Sequence, residues 1–138
     1  GIIWSRLVSP RRLFAVPLSD PQLFTATPRW QAFIREDPLS LRQATARFFV
    51  ESVRLDLYLR FATSHVRLPV LLLLAEHDRI IDNARTRAFV NRFPAADKEV
   101  HEYAGAHHTL EFEDNPEIFL ADLLRWLERR AGRVSVPV

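Results

Sequence analysis

Cysteine is absent from this chain of 138 residues. No disulfide framework can form, and no thiolate can serve as a nucleophile or metal ligand. That absence suits a cytoplasmic protein. Lysine occurs once, at Lys98, against 18 arginines, and the net charge is only +2. The pI of about 9.7 looks strongly basic, but guanidinium groups keep their protons to very high pH, so a small surplus moves the pI far. Acids interleave with the arginines along the chain. No basic stripe results, which argues against nucleic-acid binding. No run of about 18 apolar residues occurs, so no helix is expected to span a membrane. The opening "GIIWSRLVSPRR" lacks the long apolar stretch of a signal peptide. It lacks an initiator Met as well, and reads as though cut from something longer.

What the chain does have is apolar content, at 48%. That is enough for a real core, and the length is normal for one domain. Residues 1–36 carry Pro10, Pro17, Pro21 and Pro28 among Leu, Phe and Trp, which predicts short helical turns broken by proline. Residues 37–62 read as one long helix. Asp37 can cap it with Pro38 at the first helical position, or Ser40 and Gln43 can form a capping box. Two apolar stripes run along it. One holds Leu41, Ala44, Phe48, Leu55 and Leu59, and the other holds Phe49, Val53, Leu57 and Phe61. A surface helix has one stripe, so two suggest a helix between two partners or beside an apolar pocket.

The pattern changes at Pro69. "PVLLLLA" (69–75) is a continuous apolar run, the mark of a parallel strand buried on both faces. Asp82 then caps a helix through about Phe93, ended by Pro94. "KEVHEYA" (98–104) is a second strand. In "DNPEIFLADLLRWLERRAG" (114–132) Asn115 caps a helix that Pro116 and Glu117 open and Gly132 closes. Strand, helix, strand, helix implies two parallel strands joined by a right-handed crossover. Two strands are too few for a stable sheet with both faces to cover. Either copies pair their edges, or the rest of the sheet lies outside this sequence; the second is preferred.

Parallel strands share one carboxyl edge, where ligands bind in open α/β sheets. "AEHDRIID" (75–82) follows the first strand and "AGAHHTL" (104–110) the second. Strands lie about 5 Å apart, so Asp78 and His108 can meet. The aspartate would orient one imidazole nitrogen, leaving the other to take a proton from a nucleophile. Each residue taken alone also reads as an ordinary one, Asp78 as a turn aspartate and His108 as a surface or core histidine. Asp82 reads as a helix cap, His107 as a packing or supporting residue, and Glu76 and His77 as loop. Glu111 and Glu113 belong to the loop entering the last helix. His65 and His101 offer no pattern. A metal set of His107, His108 and Glu111 with His77 and Asp78 matches no familiar zinc spacing.

"PVLLLLAEHDRIIDN" followed by "YAGAHHTLEFEDNPEIFLADLLRWL" resembles the C-terminal third of the α/β-hydrolases. There a G-x-x-D-like turn carries the triad acid and G-x-x-H carries the triad histidine. Here "AEHD" has Ala75 in place of Gly, and "GAHH" aligns His108 with the histidine. Residues 1–64 resemble the helical cap of the monoacylglycerol lipase and lysophospholipase-like group. The resemblance implies an α/β fold with an incomplete sheet: a cap segment at 1–64, the last two strand–helix units at 65–132, and a tail at 133–138. It further implies Asp78 and His108 as acid and base of a Ser-His-Asp triad acting on esters of apolar acyl groups, with no cofactor or metal. One departure stands out. The three glycines, Gly1, Gly105 and Gly132, flank no serine as G-x-S-x-G. The nucleophile and the oxyanion-hole donors would have to come from a missing N-terminal half of the core. Without them the piece is expected to be inactive. Two alternatives stay open: a non-catalytic domain that pairs through its open sheet edge, with itself or a partner, and a hydrolase with an aspartate nucleophile, as in epoxide hydrolases and dehalogenases.

Overall fold

Pro69 and the leucines after it lead into β3, and the rest of the architecture is easiest to follow from there. In the computed structural model, which describes residue 9 and residues 11–131, the elements in chain order are β1 (Leu13–Ala15), α1 (Pro28–Glu36), β2 (Gln43–Thr45), α2 (Ala46–Ala62), β3 (Val70–Ala75), α3 (Asn83–Asn91), β4 (Lys98–Tyr103) and α4 (Glu117–Ala131). Single 3-10 turns occupy Pro21–Leu23, Thr63–His65 and Leu110–Phe112. β3 and β4 pair in parallel, from Val70 opposite Lys98 to Ala75 opposite Tyr103. The crossover between them is α3. The Asp82 carboxylate caps it, accepting the Arg85 amide at 3.0 Å, which satisfies one of the donors a helix start leaves open.

α4 is strapped to the sheet by its own charges. Arg130 binds both oxygens of Asp97 at 2.6 Å, just before β4, and its guanidinium lies 4.0 Å from the Trp126 ring centre. The Tyr103 hydroxyl donates to Asp122 at 3.1 Å. Glu117 in the first turn and Arg129 and Arg130 in the last complement the helix dipole. The expected end of this helix at Gly132 lies outside the described residues, as do residues 1–8 and the tail at 133–138.

The core is small. Its apolar members are Ala44, Ala46, Leu74, Ala75, Val90, Ala95, Ala106 and Phe119. The first strand is expected to be buried on both faces, but only Leu74 and Ala75 are; Val70–Leu73 are half-buried. The reason is that β3 pairs with β4 alone among the described residues, giving a sheet of two strands. This is an incomplete α/β arrangement.

The helix expected over 37–62 begins at Ala46. Asp37 instead follows the end of α1, and its Oδ1 accepts the Leu39 amide at 2.9 Å in a tight turn. Ser40 donates to the Ile34 carbonyl, so no capping box forms. Gln43–Thr45 pair antiparallel with Leu13–Ala15, and Thr45 is the true cap, accepting the Phe48 amide at 3.1 Å. Leu41 and Ala44 therefore precede the helix. Both stripes of α2 stand largely open: Phe48, Val53, Leu55, Leu57 and Leu59 are exposed, and Phe61 is 79% exposed. Among the described residues no helix is long and apolar enough to cross a membrane.

Candidate active site

The loops that leave β3 and β4 are sewn together. The Glu76 amide donates to the Tyr103 carbonyl at 3.1 Å and the His77 amide to the Ala106 carbonyl at 2.8 Å. In return the Gly105 amide donates to Glu76 Oε2 at 2.7 Å. Gly105 turns with φ +72°, the left-handed region where a side chain is strained. Parallel strands ending in step, with cross-linked loops, fix where Asp78 and His108 emerge.

They emerge in contact. His108 Nδ1 lies 2.8 Å from Asp78 Oδ2. Asp78 Oδ1 accepts the Ile80 amide at 2.8 Å and the Ile81 amide at 3.0 Å. An ionised carboxylate only accepts, so Nδ1 carries the ring proton and Nε2 is the basic nitrogen. The Asp78 side chain is 3% exposed and the His108 side chain 31% exposed. Burial opposes the charge on Asp78, but the Ile81 amide, His108 and the Ile80 amide together outweigh it and hold the carboxyl below its ordinary value of 3.8. The carboxylate is thus locked and ionised, while the imidazole keeps an open side.

Residues far back in the sequence pack against His108 and the loop that follows it. The Phe24 and His108 rings meet in a T-shaped pair, centres 5.9 Å apart, and the Thr109 amide donates to the Phe24 carbonyl at 3.0 Å. Thr25 is fully buried; its hydroxyl donates to the Phe112 carbonyl at 3.2 Å and accepts the Thr27 amide at 3.1 Å. Trp30 stacks on Phe112 with ring centres 4.5 Å apart. The start of α1 is thereby fastened to the loop that bears His108. Nothing in the spacing of residues 1–36 points to these contacts.

Of the other candidates, Asp82 is the α3 cap described above. Glu76 anchors Gly105. His77 is exposed, with its ring edge-on to His107 at 5.9 Å. The His107 amide donates to Glu113 Oε1 at 2.6 Å, and His107 Nδ1 lies 3.2 Å from the same oxygen. Glu111 is exposed in its 3-10 turn. His101 sits along β4 beside Glu99 and Asp122, and His65 contacts Ser64. Among the described residues no group of three or more potential ligands could hold a metal ion. A cavity of about 470 Å³ opens between Tyr103, Gly105, Glu113, Ile118 and Phe119, and neither Asp78 nor His108 lines it.

The serine aminopeptidase, S33, family matches residues 4–115, which includes both Asp78 and His108. No curated protein sequence matches the chain. Among solved structures, a soluble variant of monoglyceride lipase from Saccharomyces cerevisiae in complex with a substrate analog superimposes with a TM-score of 0.78 at 23% identity, covering 93% of this chain and 47% of that one. The monoacylglycerol lipase of Paleococcus ferrophilus superimposes with a TM-score of 0.75 at 23% identity, covering 91% of this chain and 49% of its own. At that identity the likeness is one of fold. The chain spans about half the length of the structures it resembles.

Proposed function

The chain belongs to the serine aminopeptidase, S33, family, with an incomplete α/β-hydrolase fold of monoacylglycerol-lipase type, and on that premise we propose that it is the C-terminal part of a serine hydrolase cleaving carboxylic esters of apolar acyl groups. Asp78 and His108 are its acid and base. The carrying observation is the 2.8 Å contact between His108 Nδ1 and Asp78 Oδ2, made at the shared carboxyl edge while Oδ1 is held by two backbone amides.

The chemistry follows from that geometry. A serine supplied by the N-terminal half of the core attacks the ester carbonyl carbon, and His108 Nε2 takes its proton. Asp78 keeps the tautomer and stabilises the imidazolium. The proton then passes to the departing alkoxide, which leaves as the alcohol. Water attacks the acyl-enzyme with His108 again as base, releasing the acid and restoring the serine. The chain has no G-x-S-x-G, so alone it should not turn over esters.

In this reading residues 1–64 form the lid segment, 65–132 the core units and 133–138 a tail. The lack of cysteine fits a cytoplasmic setting. The ester is favoured over an amide because the two structural neighbours are named as monoglyceride lipases. A second reading rests on the edge of β3 that is unpaired among the described residues and on the open apolar α2: a non-catalytic domain that pairs through that edge.

A fluorophosphonate probe on the full-length protein decides between them. Covalent labelling of one serine upstream of this chain is expected. Absence of labelling in a folded, full-length protein would remove the serine mechanism and leave either the aspartate-nucleophile chemistry or the pairing domain.

A further inference from the structure

Glu113 has work to do that its place in a surface loop does not suggest. The 3-10 turn at Leu110–Phe112, closed by the Phe112 amide on the Thr109 carbonyl at 2.9 Å, folds the chain back so that Glu113 faces the residue just before His108. Its Oε1 accepts the His107 backbone amide at 2.6 Å, a short charge-assisted bond, and lies 3.2 Å from His107 Nδ1. Both side chains are about four-fifths buried, at 22% and 23% exposure. On the other side of His108, the Thr109 amide is held by the Phe24 carbonyl at 3.0 Å. His108 therefore sits between two anchored backbone amides, and its ring is anchored on Asp78. The neighbouring imidazoles make the comparison plain: each has its own carboxylate, Asp78 for His108 and Glu113 for His107.

We propose that Glu113 is a positioning residue for the reaction, fixing the backbone of the His107–His108 turn so that the His108 imidazole stays in bonding range of Asp78 with Nε2 aimed at the nucleophile. This rests on the assignment of Asp78 and His108 made above. The Glu113 hydrogen bonds run to His107, not to the side chain of Asp78 or His108. Its effect passes through the main chain, where an error of about 1 Å in a catalytic group can cost roughly 10²-fold in rate. Loosening this turn should therefore lower kcat and leave KM unchanged, because the loss falls on the alignment of His108.

The test uses the full-length protein with two readouts, ester turnover and the proton resonance of His108 Nδ1–H hydrogen-bonded to Asp78. Glu113→Ala should lower kcat about 100-fold at constant KM and weaken or abolish that resonance. Glu113→Gln keeps the shape and one acceptor oxygen for the His107 amide, so it carries the test on its own if alanine fails to fold. It should lose about tenfold in kcat. Asp78→Asn is the reference that must remove the resonance. If both Glu113 variants keep wild-type kcat and the resonance while Asp78→Asn loses them, positioning by Glu113 is wrong and the acid–base assignment stands. If Asp78→Asn changes neither, the assignment falls and the inference falls with it.

Discussion

Replacing Asp78 by asparagine separates two jobs that one carboxylate does at once. Oδ1 holds the Ile80 and Ile81 amides, and Oδ2 holds His108. Asparagine can keep the first job, since its carbonyl oxygen still accepts both amides. It fails the second, because its NH₂ group would face the ring N–H, donor against donor. His108 relieves the clash by moving its proton to Nε2, the nitrogen that must be free to accept one. Turnover of a short-chain p-nitrophenyl ester by the full-length protein should then fall about 10⁴-fold. Stability should fall modestly: hydrogen bonds to charged groups contribute about 1.5–3 kcal/mol, and the His108 side chain, 31% exposed, points to the lower end, about 1.5 kcal/mol. Asp78→Ala also strands two backbone amides, at about 1 kcal/mol each, so it should cost about 3.5 kcal/mol. Urea denaturation reads the difference. Equal destabilisation by both variants would refute the account of Oδ1, and retention of more than about a tenth of turnover by Asp78→Asn would refute that of Oδ2.

Three further outcomes are expected. The Asp78 carboxyl is held below its ordinary 3.8 in the folded protein, so its contribution is present above that value and is lost as pH falls through the folded-state value; denaturation midpoints measured at falling pH should bring wild type and Asp78→Asn together under pH 3.8, and a gap that stays constant would contradict this. Tyr103 is pushed up to about 12 by burial, by its bond to Asp122 and by the charge of Asp122; absorbance titration should show this phenol ionising near pH 12, its stabilising contribution complete below 10 and declining above, with Tyr103→Phe removing that step. Thr25→Val should cost about 2 kcal/mol by stripping the Phe112 carbonyl and the Thr27 amide of their buried partner; denaturation unchanged from wild type would mean that the start of α1 is not fastened to the His108 loop.

Which features were legible in the sequence has a physical pattern. β3, β4, α3 and α4 announce themselves because their signals are local: a leucine run after Pro69, a cap at Asp82, and Pro116 and Glu117 at a helix start. The convergence of Asp78 and His108 is also readable, since two parallel strands of equal length deliver their following loops to one edge. The Asp-Pro pair at 37–38 misleads because the same residues that open a helix also form the turn that follows one, and here Asp37 closes α1. β1 and β2 have three residues each, too few to display alternation. Phe24 and Thr25 reach the site through tertiary contacts that no spacing encodes, and Glu113 through a 3-10 turn that no motif announces. The double stripe of α2 is legible as a demand for partners, and among the described residues that demand goes largely unmet.

A double-mutant comparison probes the pairing of Asp78 with His108 most directly. In the full-length protein, His108→Ala should lower kcat by about 10⁴-fold or more, and adding Asp78→Ala should lower it hardly further, because the carboxylate acts only through the imidazole. Losses that multiply, with each residue contributing independently of the other, or a His108→Ala variant that keeps its turnover, would contradict the assignment.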